Sequence, residues 1–390
     1  MNTNLKKILI IIIIVLIIAL VVLLIYNFFI KPKEEKELGP GELPEGEEGE
    51  LKPGEEEEGE ITPAPELKVK AISTEKVLAP TLSADKTKVI YYSQNNGNVW
   101  QSAFDGSNLN KISSVVLENL AKIIWSPDKT KVISIFLDEK ENVSKNIYDY
   151  NTKEISPFSA DIQEIAWSPT SDKIVYQYTN ELTNDNSINI ANPNGTNWQN
   201  ILQTRIKNVN LDWVASEIGF CEKPSGLVQS SFFLINPLNK NLTKVFSNIY
   251  GLSVKQSPQG DKMLYSETSN KGKNIALYTA LKDGTGKKGI DVSTLVEKCV
   301  WSQDNRTIFC AISKNINEAE VLPDDFYKGS FIGNDEFWKI NLETSEKNKL
   351  LEPWEAGEEN YDAVNLFLSP LEDYLFFVNK KDGLLYSIEL

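Results

Sequence analysis

Short apolar segments that alternate with polar turns recur along the chain from residue 77 onward. Segments such as LAKIIWS, IQEIAWS and VNLFLS each precede a polar turn, and a second apolar segment such as KVISIF follows it. Alternation of apolar and polar residues over such short stretches is typical of β-strands in a half-buried sheet. The pattern therefore predicts an all-β domain made of consecutive hairpins.

The turn between the first two strands of each unit marks a regular repeat. Its first residue is, in chain order, Ser83, Ser126, Ser168, Val214, Ser257, Ser302 and Ser369. The successive spacings are 43, 42, 46, 43, 45 and 67 residues, and all but the last fit one propeller blade of four short strands. In Ser126-Pro127-Asp128, proline presets its own φ, and the serine and aspartate side chains can bond nearby backbone groups.

The W-S-P-D turn and its variants, each followed by a strand rich in β-branched residues, resemble the WD40-like repeat of TolB-like β-propellers. The resemblance is clearest at residues 123–136, 165–178 and 299–312. It implies a propeller of an extracytoplasmic or scaffold protein, and it carries no catalytic site. TolB-like propellers have six blades, whereas this chain has seven units. We therefore expect a seven-bladed β-propeller over residues 67–390, with a six-bladed propeller as the alternative.

A segment before the first unit is predicted to close the ring of blades. The seventh unit contains three predicted strands, at 363–369, 374–378 and 384–389, and a four-stranded blade needs one more. Residues 67–73 alternate apolar and polar side chains and belong to no other unit. We expect this segment to pair beside 384–389, because the pairing covers two open sheet edges.

The first thirty residues predict a membrane anchor. Residues 1–7 form a short tail with two lysines, and residues 8–30 are 23 almost entirely apolar residues. As a helix these 23 residues would be about 35 Å long, which is enough to cross the hydrocarbon core of a bilayer. No small-residue cleavage site follows, so the segment is predicted to be an uncleaved signal anchor that lies in the lipid bilayer.

Residues 31–66 predict a disordered acidic stalk rich in Glu, Pro and Gly. They contain fourteen Glu and four Lys and cannot bury enough apolar surface to fold. The lysines on the two sides of the apolar run are nearly equal in number, so charge alone does not fix the orientation. The basic tail before the run favours a propeller outside the cytoplasm, with a cytoplasm-facing propeller as the alternative.

Composition excludes several kinds of site. The chain contains no His and only two Arg, so it has no His base for a Ser or Cys nucleophile and no arginine cluster for an anion. Of the net charge of −15, −10 lies in residues 31–66 and +2 in residues 1–30, so residues 67–390 carry −7 and lack the basic surface of a nucleic-acid binder. No motif indicates a cofactor or a metal ion. We therefore expect a protein that is not an enzyme.

Tryptophan and cysteine are predicted to be structural. A tryptophan stands just before the turn in four units: Trp125, Trp167, Trp213 and Trp301. This shared position predicts packing between blades. Cys299 and Cys310 flank a predicted hairpin and could face each other. With Cys221 they form an odd set in a long chain, so buried free thiols are favoured over a disulfide.

The sixth unit is longer than the others, and the excess lies at 314–335, between its second and third strands. In a propeller these loops and the connections between blades share one face, and binding sites concentrate on loops of rigid scaffolds. The insertion contains two acidic and three aromatic residues: Asp324, Asp325, Phe326, Tyr327 and Phe331. We predict that the aromatic residues anchor an unknown protein or cell-surface ligand and that the aspartates tune specificity. The alternative is that the insertion plugs the channel mouth or covers a blade edge.

The sequence thus predicts a membrane-anchored, extracytoplasmic scaffold that binds a partner without catalysis. The alternative function is an extracytoplasmic enzyme that acts on glycans through carboxylates. A funnel-shaped pocket that brings Asp or Glu side chains together would favour the enzyme, and its absence would favour the scaffold.

Overall fold

The computed structural model describes residues 68–351 and 360–390. Within these ranges the chain forms 27 β-strands, one short α-helix and one 3-10 turn, which confirms the predicted all-β class. The predicted anchor at 8–30 and the predicted stalk at 31–66 lie outside the described residues. In the parts of the chain that the structure describes, no helix is long and apolar enough to cross a membrane.

The strands are antiparallel and, apart from β1, follow one another in sequence order within each sheet. Strand β1 (Val69–Ala71) comes first in the chain. The first sheet contains β2 (Val77–Leu82), β3 (Val89–Ser93), β4 (Val99–Ser102) and β5 (Asn110–Ser113). The second contains β6 (Leu120–Trp125), β7 (Lys131–Leu137), β8 (Val143–Asp149) and β9 (Ile155–Pro157). The third contains β10 (Ile162–Trp167), β11 (Ile174–Asn180), β12 (Asp185–Ala191) and β13 (Gln199–Gln203).

The fourth sheet has seven strands and consists of two halves that share β17. Its strands are β14 (Val209–Val214), β15 (Glu217–Glu222), β16 (Gln229–Ile235), β17 (Leu242–Gln256), β18 (Lys262–Ser269), β19 (Lys273–Leu281) and β20 (Lys288–Gly289). The first half of β17 pairs with β16, and its second half pairs with β18.

After a 3-10 turn (Val296–Lys298), the fifth sheet contains β21 (Cys299–Trp301), β22 (Thr307–Ser313), β23 (Asp335–Asn341) and β24 (Lys347–Lys349). Helix α1 (Asp324–Lys328) lies between β22 and β23. The last sheet contains β25 (Ala363–Leu368), β26 (Tyr374–Asn379), β27 (Leu385–Glu389) and β1.

The first strands of successive sheets contact one another around a common centre. Strand β2 contacts β6, β10 contacts β14, and β25 contacts both β21 and β2. In each four-stranded sheet the strands after the first pair one with the next and so lead away from this centre, whereas in the seven-stranded sheet the second half of β17 returns to it and contacts the 3-10 turn before β21. Sheets that radiate from a central channel in this way are typical of a β-propeller.

The predicted turn chemistry is confirmed. The backbone N–H of Lys131 donates to Ser126 Oγ at 2.9 Å, Ser126 Oγ donates to Asp128 Oδ1 at 2.7 Å, and the backbone N–H of Thr130 donates to the same carboxylate. Three positions after the turn serine, the residue has a positive φ at Lys86, Lys129, Ser171, Gly260, Asn305 and Glu372. A left-handed residue at one fixed position reverses the chain in the same way in each of these units.

The predicted closure of the ring is also confirmed. Val69 pairs with Ile388 and Ala71 pairs with Tyr386, so β1 adds a fourth strand beside β27. Val69 and Ile72 are buried in hydrophobic clusters with residues of β25, β26 and β27. The segment therefore covers the edge of β27 and contributes to the core on both sides of it.

The tryptophan that recurs before the turn joins neighbouring sheets, as predicted. Trp125 Nε1 donates to the backbone oxygen of Ala79 on β2 at 2.9 Å, and Trp167 Nε1 donates to that of Ile124 on β6 at 3.2 Å. Each indole therefore fastens its own first strand to the first strand of the preceding sheet.

The cysteines give one correction. Cys299 and Cys310 form a disulfide, with Cα atoms 4.1 Å apart, so the expectation of free thiols is wrong for this pair. The two residues are register partners on β21 and β22, and the hairpin therefore places their side chains opposite each other. Cys221 is free and buried, as expected.

Candidate functional site

The insertion at 314–335 contacts loops from several sheets. Helix α1 ends at Lys328 and is capped by Gly329, which has a φ of 79°. The backbone N–H of Leu322 donates to the oxygen of Gly272, between β18 and β19, at 3.0 Å. Lys380, between β26 and β27, donates to the oxygen of Phe331 at 3.1 Å. The insertion therefore crosses the face formed by the loops between second and third strands.

Both predicted aspartates hold this segment in place. Asp324 accepts hydrogen bonds from Ser225 Oγ at 2.8 Å and from the backbone N–H of Gly226 at 2.7 Å, in the loop between β15 and β16. Asp325 accepts one from the backbone N–H of Val321 at 2.7 Å. Their carboxylates are thus engaged by the protein itself.

The three predicted aromatic residues differ in exposure. Phe331 is only 2% exposed and packs in a cluster with Ile275 and Leu295. Phe326 is half-buried, with the ammonium group of Lys380 5.0 Å from its ring centre. Tyr327 is 48% exposed. The structure therefore brings the five predicted residues into one segment, but their role in binding a partner stays a prediction.

A cavity of about 350 Å³ opens in the channel next to Tyr327. Its lining includes Glu164 on β10, Asp212 on β14, Lys255 on β17 and Glu297 in the 3-10 turn. Glu297 accepts hydrogen bonds from the hydroxyl groups of Ser253 and Tyr327. Lys255 Nζ donates to the backbone oxygen of Cys299 at 2.5 Å, and Lys122 forms an ion pair with Glu164 at 3.5 Å.

The surroundings of this cavity shift the pKa values of three of its lining residues. Asp212 is exposed to the channel, but the surrounding protein partly desolvates its carboxyl and raises the pKa, although a backbone hydrogen bond from Trp213 and the charge of Lys255 lower it. The same desolvation lowers the pKa of the Lys255 ammonium, and the charges of Glu297 and Asp212 oppose that change. Desolvation and the Glu297 carboxylate raise the pKa of Tyr327.

These shifts bring the proton affinities of a carboxyl and an amine in one cavity closer together. Such pairs can transfer protons, but they also occur in structural networks. Across the described residues, no group of three or more His, Cys, Asp or Glu side chains is arranged to hold a metal ion.

Next to the cavity, Lys298 pairs with two buried carboxylates. Its Nζ lies 2.6 Å from Asp335 Oδ2 and 2.7 Å from Asp362 Oδ1, and all three side chains are almost fully buried. Burial raises the pKa of Asp335, and the Lys298 charge opposes this. The ammonium group also lies 5.8 Å from the ring centre of Phe331. The cluster therefore links β23, the connection before β25 and the insertion.

The charged channel residues were not predicted, although the sequence contains a signal for some of them. A polar or charged residue stands four positions before the turn residue at Lys122, Glu164, Asn210, Ser253, Lys298 and Asn365. In an otherwise apolar first strand, this recurrence indicates a position that faces the channel. Asp212 and Lys255 lie two positions before their turn residues, where the other units have no charge.

The sequence matches no family model and no curated protein. Among solved structures, the oligogalacturonate lyase of Vibrio parahaemolyticus is similar, with a TM-score of 0.59, 13% identity, and coverage of 82% of this chain and 93% of that one. An oligogalacturonate lyase in complex with manganese has a TM-score of 0.58 and 14% identity, with coverage of 83% of this chain and 93% of that one.

The β-propeller domain of the trilobed protease of Pyrococcus furiosus is also similar. Its TM-score is 0.53 at 11% identity, with coverage of 80% of this chain and 92% of that one. That domain is described as having an open velcro topology, whereas here β1 pairs with β27. At these identities the likenesses concern the fold alone, and they confirm that the described part of the chain is a β-propeller.

Proposed function

We propose that the chain is a membrane-anchored, extracytoplasmic β-propeller of seven blades that binds a partner protein without catalysis. The count of seven treats the seven-stranded sheet as two blades that share β17, and β1 as the fourth strand of the last blade. Residues 8–30 would be the anchor, 31–66 the stalk and 67–390 the propeller.

Two observations support the extracytoplasmic location. The apolar run at 8–30 follows a short basic tail, as in a signal anchor. The disulfide between Cys299 and Cys310 is of a kind that persists in oxidising compartments and is rare in the cytosol.

Exposed apolar side chains on one face carry the proposal of a partner protein. Leu182 is 98% exposed between β11 and β12, and Ile332 is 68% exposed in the insertion. Leu227 and Val228, between β15 and β16, are exposed as well, together with Tyr327. All these loops join a second strand to a third and so share one face. Burial of such groups is a main source of binding energy between proteins.

In this proposal the insertion presents the partner site. Tyr327 and Ile332 contact the partner, while Asp324 and Asp325 fix α1 and Phe331 anchors its end in the core. Phe326 completes the surface from its half-buried position. The role predicted for the three aromatic residues is therefore divided between contact and support.

Site-specific photo-crosslinking in intact cells tests the proposal. A photoreactive residue would be placed at 182, 227 or 332 on the proposed face, or at 238 or 371 on the opposite face. Leu238 and Leu371 are matched controls, because they are highly exposed leucines, at 92% and 85%, in loops of the other kind. We expect one discrete crosslinked protein from the first three positions and none from the two controls.

A partner that crosslinks from the control positions, or no discrete product from any position, would contradict the proposal.

The extracytoplasmic location has a separate test. Protease added to intact cells should release a fragment of about 36 kDa from the 43.9 kDa chain, because cleavage concentrates in an unfolded stalk. Protection in intact cells and digestion after lysis would place the propeller in the cytoplasm.

One observation favours a second function, a carboxylate-dependent enzyme that acts on glycans. The channel cavity brings Glu164, Asp212 and Glu297 together, and Asp212 has a raised pKa, as a general acid requires. Incubation of the full chain with neutral and uronate oligosaccharides would test it by the release of new reducing ends. Turnover that Asp212→Asn abolishes would support the enzyme, and no turnover by the wild type would exclude it for those substrates.

A further inference from the structure

A second cavity, of about 600 Å³, lies on the outer flank of the third sheet and has no lining residue from the insertion. One wall is Pro157 and Phe158, at the end of β9. The other wall belongs to β11, β12, β13 and the hairpin between β12 and β13. We call this cavity the flank groove. It is open along the outer edge of the propeller and shares no lining residue with the channel cavity.

The flank groove contains an exposed indole. Trp198, in the hairpin between β12 and β13, is 64% exposed and lines the groove. In the same hairpin, Gly195 lies next to Phe158: a Cβ atom placed on Gly195 would be 3.8 Å from the phenyl ring. An aromatic ring that stays in water at a cleft is available to stack on a ligand.

Polar groups at the floor of the groove have unused hydrogen-bonding capacity. Tyr176 is only 6% exposed, and within the described chain its hydroxyl group has no hydrogen-bond partner. Asn200 donates to Asn189 Oδ1 at 3.0 Å, but its own Oδ1 accepts no hydrogen bond from the described residues. A hydroxyl group that lines an open groove and has no protein partner is free to bond water or a ligand.

The charge of the groove lining restricts which classes of ligand the groove can bind. Its lining contains no Lys or Arg, and Asp185 is the one ionisable acid among the lining residues that the structure describes. Most of the other polar groups are amides and hydroxyls, which both donate and accept hydrogen bonds. Such a surface suits neutral hydroxyl groups and disfavours phosphates, sulfates and uronates.

We propose that the flank groove binds a neutral oligosaccharide. A sugar ring has an apolar C–H face, which would stack on Trp198, and a rim of hydroxyl groups, which would pair with Tyr176 and Asn200. The proposal is independent of the partner face and of any enzymatic activity, because it uses neither the insertion nor the channel.

Isothermal titration calorimetry on the full chain tests the proposal. The detergent must lack a sugar headgroup, since a maltoside or glucoside would compete. The probes are cellotetraose and chitotetraose as neutral sugars and tetragalacturonate as the anionic counterpart. We expect at least one neutral tetrasaccharide to bind and tetragalacturonate to bind much more weakly or not at all.

Variants then locate the site. We expect Trp198→Ala to weaken the neutral sugar roughly tenfold, Trp198→Phe to weaken it less, and Tyr176→Phe to weaken it severalfold. Leu238→Ala, an exposed leucine in the corresponding hairpin of the next unit, is the matched control and should leave Kd unchanged. Binding of neither neutral sugar at concentrations on the order of 1 mM would overturn the proposal. Equal binding of the uronate, or a Trp198→Ala variant that binds like the wild type, would also overturn it.

Discussion

The insertion and the flank groove both contain aromatic and polar side chains, but these side chains differ in hydrogen bonding. In the insertion, the Asp324 carboxylate and the Tyr327 hydroxyl group both have protein partners. In the flank groove, the Tyr176 hydroxyl group has no partner in the described chain, and the Trp198 ring is exposed. Paired polar groups hold a segment in position, whereas unpaired groups in a cleft are available to a ligand.

The region around the insertion and the flank groove also differ in their charged groups. Beside the insertion, Lys298 neutralises Asp335 and Asp362 inside the protein, so these charges are part of the fold. The lining of the groove has a single ionisable acid and no base. Substitution of these buried, paired charges should therefore change stability, whereas substitutions in the groove lining should change sugar binding.

Both regions depend on the closed ring, and opening it should have the largest effect. Replacement of residues 69–72 by Gly-Ser-Gly-Ser removes the buried side chains of Val69 and Ile72 and the pairing with β27. We expect a loss of about 3–6 kcal/mol in the free energy of unfolding, since each such side chain contributes about 1.5–3 kcal/mol. Urea denaturation of the full chain measures it.

The same replacement at residues 55–58, in the predicted stalk, is the control and should leave the urea midpoint unchanged. An unchanged midpoint for the variant at 69–72 would mean that β1 does not stabilise the ring.

The next largest effect should come from the buried charge cluster. Lys298→Met leaves Asp335 and Asp362 without their cation, and we expect a loss of about 3–5 kcal/mol. Lys328→Met, at the exposed end of α1, should change stability by less than about 0.5 kcal/mol. If the loss comes from unpaired charge, adding Asp335→Asn and Asp362→Asn should restore much of it, and a triple variant as unstable as Lys298→Met would contradict this explanation.

Sequence reasoning predicted what depends on local pattern. The turn at Ser126 and the strand at 67–73 could be predicted, because hydrogen bonds within a turn and the count of strands per blade are visible in a single sequence. The cluster of Lys298, Asp335 and Asp362 could not, because these residues are up to 64 positions apart and meet through the angle between two sheets. The flank groove is likewise formed by two sheets, and Trp198 alone gives no sign of its neighbours.

A smaller and gradual effect is expected from pH. Hydrogen bonds from Ser83 to Asp85, and from Thr170 and Ser168 to Asp172, hold the pKa of these turn carboxyls below the ordinary value. Because the folded pKa is lower than the unfolded pKa of about 3.9, their contribution is complete above that pH and is lost as the pH falls through the folded pKa. We expect the thermal midpoint to fall below about pH 4.

Asp212 and Asp335 should act in the opposite direction, because their raised pKa values favour the folded state as they become protonated. Asp172→Asn should make the acid fall shallower, since one of the carboxyls that loses its contribution is absent. A fall as steep as that of the wild type would assign acid unfolding to other groups.

The smallest effect gives the most direct test of the difference between the two regions, because one kind of substitution can be made in both. Tyr327→Phe removes a hydroxyl group that donates to the Glu297 carboxylate, and we expect a loss of about 1–2 kcal/mol, reduced by the exposure of the residue. Tyr176→Phe removes a hydroxyl group without a protein partner, so the urea midpoint should change by less than about 0.5 kcal/mol. A double-mutant cycle with Glu297→Gln should show coupling for Tyr327 and none for Tyr176. Equal losses at the two tyrosines would show that hydrogen-bond pairing does not distinguish the insertion from the flank groove.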